Sequence, residues 1–135
     1  MADAVTSQTL IDGERMVIMK FTNISDGTGE SAVLKVDVST LNPSASGKAC
    51  NRVTVNKIYI SNHGMEVRML FDATTDVPFF LSSPNATQTL DMSGFGGITN
   101  NAGAGVTGDI VFSTADASAG DTYWTILEMV KGYED

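Results

Sequence analysis

Apolar and polar residues alternate with a period of two along much of the chain, the signature of half-buried β-strands. Val17, Met19 and Phe21 share one face against Ile18, Lys20 and Thr22, and Leu34, Val36 and Val38 stand opposite Lys35 and Asp37. Met65, Val67, Met69 and Phe71 alternate with Glu66, Arg68, Leu70 and Asp72, and Ile110 shares a face with Phe112. In the last run Trp124, Ile126, Glu128 and Val130 oppose Tyr123, Thr125, Leu127 and Met129. Both faces of that run are apolar apart from Glu128. This predicts a central strand, or one covered by a neighbouring subunit, and puts Trp124 in the core or in a subunit interface. The segment 52–61 changes parity between Val53 and Val55 on one side and Ile58 and Ile60 on the other. A β-bulge near Asn56–Lys57 restores a single buried face. No window carries the i, i+3, i+4, i+7 stripe of a capped amphipathic helix.

Turn residues divide these runs into nine strands, over 4–11, 14–22, 32–38, 52–61, 65–72, 77–82, 87–92, 108–114 and 121–131. Asp12-Gly13 suits a tight hairpin. Asp26-Gly27-Thr28-Gly29-Glu30 reads as a mobile polar loop, and Leu41–Lys48 as a longer one. Ser61-Asn62-His63-Gly64 reads as a hairpin turn, since Asn, His and Gly tolerate positive φ. The glycine-rich stretch 93–108 is the longest irregular segment. Nearly every connection is short, which favours antiparallel pairing. The expected architecture is one all-β domain over 1–135, an antiparallel β-sandwich of jelly-roll type. Residues 1–11 form either an extended N-terminal arm or an edge strand of the same domain.

Composition narrows the function classes. The chain has 135 residues, 42% hydrophobic and 18% charged, enough for one real core. Sixteen acidic against eight basic residues give a net charge of −8, a surface that repels phosphate backbones, so nucleic-acid binding is not expected. Apolar runs reach only four or five residues, far short of a membrane span, and the N-terminus has no basic segment followed by an apolar one; a soluble chain made in the cytoplasm is expected. The single cysteine, Cys50, reads as a small buried residue and excludes a cysteine-rich zinc site.

Candidate chemistry is sparse. His63 is the only histidine, it falls in a turn, and no Gly-x-Ser-x-Gly elbow accompanies it. Acidic pairs such as Glu66 with Asp72 or Asp91 with Asp109 are what any acidic β-protein carries. The 26–30 loop lacks the spacing of a calcium loop, and Ser93-Gly94-Phe95-Gly96-Gly97 lacks the Lys-Ser/Thr of a phosphate loop. No enzyme, metal or cofactor is therefore expected. Phe95, set among glycines, is either a plug for the core or an exposed anchor. The seven methionines are adaptable core filler or a contact surface that repacks against another subunit.

Several segments carry a resemblance: Ala2–Thr9 running into Asp12-Gly13-Glu14-Arg15, Met19–Asn23, Asp26–Ser31, Asp72–Pro78, Thr107–Ile110 and Glu128–Lys131. Together they resemble the small virion structural proteins of tailed bacteriophages, most of all capsid decoration, or cement, proteins. The resemblance implies a homo-oligomer, with a trimer favoured, that binds the major capsid protein on the outside of the virion. Val5, Thr9 and Leu10 of the N-terminal segment, with Phe95 and Tyr133, are the expected partner contacts. The alternative is a tail- or fibre-associated lectin-like jelly roll that binds glycans, using Tyr59, Phe79, Phe80, Phe95 and Tyr133.

Overall fold

The computed structural model describes residues 3–134. Its strands are β1 (Ala4–Asp12), β2 (Met16–Asp26), β3 (Val33–Val36), β4 (Cys50–His63), β5 (Glu66–Phe71), β6 (Val77–Leu81), β7 (Asn85–Asp91), β8 (Ile110–Ala115) and β9 (Ala119–Tyr133). Among the described residues the helical pieces are two 3-10 turns, Val38–Thr40 and Ser93–Phe95. One sheet has the order β1-β2-β9-β4-β7 and the other β3-β8-β5-β6, and every pairing is antiparallel.

The pairings β2–β9, β3–β8, β4–β7 and β5–β6 are nested, as if one long hairpin had been rolled up. That nesting in two facing four-strand layers is the jelly roll the sequence predicts, with β1 added as a fifth strand at one edge. Most short links pass from one sheet to the other. The turn after His63 is one of these: β4 pairs with β7 and β9, whereas β5 pairs with β6 and β8. His63-Gly64 is thus a corner of the sandwich and not the hairpin expected. Asn62, fully buried beside it, fastens the corner by donating from Nδ2 to the carbonyls of Met65 and Ser83, both at 2.7 Å.

The core lies between the sheets. Val17 and Phe21 of β2, Leu127 and Met129 of β9 and Ile58 and Ile60 of β4 face Val67, Met69 and Phe71 of β5 and Phe112 of β8. The rings of Phe21 and Phe112 meet edge to face across the sandwich at 5.3 Å, and Phe112 meets Tyr123 at 6.0 Å. Cys50 is buried, as expected. Met19, Met65, Met69, Met92 and Met129 are buried too, which makes them core filler, while Met16 is exposed.

The parity change in β4 is a bulge: the register with β9 slips between Val55 and Lys57, leaving Asn56 extra. The loop after β7 closes over it. Ile98 exchanges both backbone hydrogen bonds with Val55, at 2.8 and 3.0 Å, and Met92 N donates to the Asn56 carbonyl at 2.8 Å. Gly97 permits this approach, because a Cβ there, at φ +87°, would stand 2.8 Å from the Val55 carbonyl.

In β3 the expected alternation fails. Leu34 is exposed while Lys35 and Val36 are both buried. The register with β8 slips between Leu34 and Val36, and this second bulge turns Lys35 inward.

At one end of the sandwich Lys131 of β9 has a fully buried side chain. Its Nζ donates to Asp12 Oδ1 at 2.6 Å, to the Asn42 carbonyl at 2.7 Å and to the Gly13 carbonyl at 2.9 Å. Burial works to lower the ammonium pKa, but the hydrogen bond and charge of Asp12, with Tyr133, hold it above its ordinary value. One side chain thereby fixes the β1–β2 hairpin and the 41–48 loop to the central strand. Lys131→Met removes the cation and leaves Asp12 and two carbonyls without their donor. A loss of about 3–5 kcal/mol is expected, read as a lower urea midpoint at unchanged m-value.

Candidate interaction surface

The outer face of the five-stranded sheet can be read row by row from its register. Thr6, Thr22, Trp124, Ser61 and Thr87 stand side by side across the five strands. The next row is Gln8, Lys20, Ile126, Tyr59 and Thr89, and the third is Ile11, Ile18, Glu128, Lys57 and Asp91. Met16, Val130 and Thr54 continue below them. β-Branched and aromatic residues dominate because they suit a pleated surface. Their hydroxyls join neighbouring strands, Thr6 to Thr22 and Ser61 to Thr87.

Trp124 sits at the middle of the first row and is 41% exposed. The core alternative expected for it is wrong for this domain. Alternation on β9 sends Tyr123, Thr125, Leu127 and Met129 inward and Trp124, Ile126, Glu128 and Val130 outward.

The charges on this face are balanced. Across the three rows Lys20 and Lys57 oppose Glu128 and Asp91, two against two, on a protein of net charge −8. Tyr59 donates to Glu128 Oε2 at 2.5 Å, and that hydrogen bond, the largest influence on the phenol, pushes its pKa up. Asp91 accepts from the Ser93 hydroxyl and backbone N–H, which hold its carboxyl below the usual value, and it lies 4.0 Å from Lys57. The excess negative charge therefore sits elsewhere on the surface.

The five expected contact residues do not converge. Val5, Thr9 and Leu10 are exposed on β1, the strand at one edge of the sheet. Val5 and Thr9 pair with the inward-facing Asn23 and Met19, so they lie on the inner side of the sheet. There β1 extends beyond the four-stranded layer, next to which Val33 and Leu34 of edge strand β3 are also exposed. Leu10 is the extra residue of a bulge between Thr9 and Ile11. Phe95 is 73% exposed in the 3-10 turn after β7, at the opposite edge of the same sheet, so it does not plug the core. Tyr133 is half-buried; its hydroxyl donates to the Glu14 carbonyl and its ring lies 5.7 Å from Lys131 Nζ, a tie within the fold. Of the aromatics considered for glycan contact, Phe80 is buried and Phe79 stacks on Phe71 at 4.5 Å.

The 26–30 loop is well fastened. The carboxylate of Asp3 accepts from Ser25 Oγ and the N–H groups of Asp26 and Gly29 through Oδ1, and from Asn23 Nδ2 through Oδ2, all between 3.0 and 3.2 Å. Desolvation is the largest single influence on this carboxyl and works upward; the hydrogen bonds together outweigh it and lower the pKa from 3.8. Glu30, expected in a solvated turn, is buried and bridges Asn23, Tyr123 and Lys35.

A cavity of about 340 Å³ opens beside Asn51, Arg52, Asn100, Val106 and Thr107. Arg52 is held there by Asn51 Oδ1 at 2.8 Å and the Tyr133 carbonyl at 3.0 Å. Nearby, Asp109 has a raised pKa, first from burial and then from Asp37 and Asp72, against the hydrogen bond it accepts from Val38 N. His63 is exposed at the end of β4. Among the described residues no three His, Cys, Asp or Glu side chains come together as metal ligands.

No protein-family model matches the chain, and no curated protein matches it. Among solved structures, the polyketide cyclase RemF from Streptomyces resistomycificus is similar over 99% of this chain and 70% of that one. The identity is 12% and the TM-score 0.31, a likeness that carries no argument.

Two outcomes follow from this surface. Trp124→Ala should cost the isolated fold about 1 kcal/mol, well below the roughly 3–5 of a core tryptophan, in urea unfolding. Asp3→Asn should lower the melting temperature at neutral pH. The folded carboxyl titrates below its unfolded value, so its contribution is complete above 3.8 and is lost as the pH falls through the folded pKa. Melting temperatures of wild type and variant should therefore converge as the solution is acidified.

Proposed function

We propose that this chain is a structural virion protein, a homo-oligomeric decoration protein that docks on the major capsid protein of a phage particle and stabilises it. The observation that supports the reading is the Trp124-centred outer face. It is broad, rich in threonine and aliphatic side chains, and neutral, on a molecule that is otherwise strongly acidic. Aromatic residues surrounded by uncharged neighbours are where binding energy concentrates, while charge elsewhere keeps free copies apart until a complementary surface is met. The resemblance in the chain's segments supplies the class of partner and the trimeric state. A jelly roll serves such a role well, because its rigid two-layer core holds a flat face without needing a catalytic cleft.

Trp124 is the single tryptophan, so its emission reports directly on this face. Mixing with bare capsids should shift that emission to shorter wavelength, and Trp124→Ala should weaken binding by about 2 kcal/mol or more with the fold intact. Light scattering should find an oligomer, alone or on the particle. Unchanged emission together with undiminished binding of the variant would remove this face from the mechanism. Binding to glycans but not to capsids would support the lectin-like alternative.

A further inference from the structure

Between the two sheets, near the loop that Asp3 fastens, three side chains form a cluster whose chemistry goes beyond packing. Asn23 on β2 is 1% exposed, and the side chains of Glu30 and Lys35 are 4% and 3% exposed. Lys35 Nζ lies 2.6 Å from Glu30 Oε2, and Asn23 Nδ2 donates to Glu30 Oε1 at 2.9 Å. One carboxylate thus touches an amine on one side and a carboxamide on the other. Phe112 lies beneath Lys35, with its ring centre 5.9 Å from Nζ. Tyr123 donates to Glu30 Oε1 at 2.6 Å. Asp3 Oδ2 takes the other hydrogen of Asn23 Nδ2 at 3.0 Å. Among the described residues Glu30 is the single polar partner of Lys35 Nζ, and Asn23 Oδ1 is buried with no hydrogen-bond partner.

We propose that Lys35 and Asn23 join in an intramolecular isopeptide bond, with Glu30 as the catalytic acid–base. Nζ of Lys35, as the free amine, attacks Cγ of Asn23. The Nζ–Cγ bond forms, the Cγ–Nδ2 bond breaks, and ammonia leaves. Glu30, with Oε2 beside Nζ and Oε1 beside Nδ2, takes the proton that Nζ loses and passes one to Nδ2. No oxidant, cofactor or second protein is consumed. Burial keeps water from competing for the amide carbon, and Glu30 holds the amine on one of its oxygens and the carboxamide on the other. Asn23 Oδ1 has no hydrogen bond, so turning the amide carbon toward Nζ gives up only the two that Nδ2 donates, to Asp3 Oδ2 and Glu30 Oε1. The sequence difference between the partners is twelve positions, yet they stand on different sheets, β2 in the five-stranded and β3 in the four-stranded layer. The bond would tie the two layers of the sandwich covalently, a reinforcement independent of the docking surface.

Mass spectrometry of the folded, full-length protein tests this directly. Trypsin should fail to cut after Lys35, giving a peptide from Phe21 to Lys48 that is lighter by one ammonia. A further cut at Glu30 should leave the Asn23 and Lys35 fragments joined. In Glu30→Ala and Asn23→Ala, cleavage after Lys35 should return and the peptides should have the full mass of their sequences. If either variant does not fold, the wild-type peptides still decide the matter. Normal cleavage after Lys35 at the full sequence mass would overturn the proposal, and so would loss of ammonia with the two fragments separable, since that is deamidation chemistry at Asn23 alone.

Discussion

The register of β9 between β2 and β4 sets nearly everything else. Fifteen residues long and flanked on both sides, it sends Tyr123, Leu127, Met129 and Lys131 into the sandwich and Trp124, Ile126, Glu128 and Val130 to the outer surface. A slip of one residue would exchange the two sets and bury Glu128 among aliphatic side chains. The inner set meets β5 and β8 across the core, and Lys131 at its end anchors the hairpin and the long loop. The outer set becomes the middle of the proposed docking face. Core and surface are thus two sides of one alternation, and neither can be altered without the other.

Charge is distributed in the same economical manner. Two lysines are buried, each against a carboxylate, Lys35 with Glu30 and Lys131 with Asp12. Such pairs add little net stability over well-packed apolar residues, but they are costly to break, and they fix which loops lie over which sheet. Each buried pair is neutral and so is the outer sheet face, so the net charge of −8 falls on the rest of the surface. Under the proposed function, that charge keeps free molecules apart until a surface accepts the balanced face.

β-Strand periodicity, the nine-strand count and the two-layer architecture were legible in the sequence, because a period of two needs only local order to be seen. The bulge at Asn56 was legible for the same reason: one inserted residue shifts the parity of every later position in a run of β-branched side chains. The bulge in β3 was not, since a four-residue strand offers too short a pattern, and Lys35 looks there like an ordinary solvent-facing lysine. Glu30 was hidden by its setting, in a run of Asp, Gly and Thr that composition alone assigns to solvent. It is buried against Tyr123, ninety-three positions away, and against Lys35 of the facing sheet.

The sequence by itself determined which side chains of each strand share a face, because adjacent residues in extended backbone point to opposite sides. It did not determine which face is covered. On β9 both faces are apolar, and only the pairing of strands far apart in the chain, with the second sheet closing over one side, decides that Tyr123 is core and Trp124 surface. The same holds for the turn at His63-Gly64: local chemistry specifies a bend, and whether that bend joins two strands of one sheet or crosses between two follows from the nested long-range pairing. Local sterics act within a few residues, while burial is a property of the whole packed sandwich.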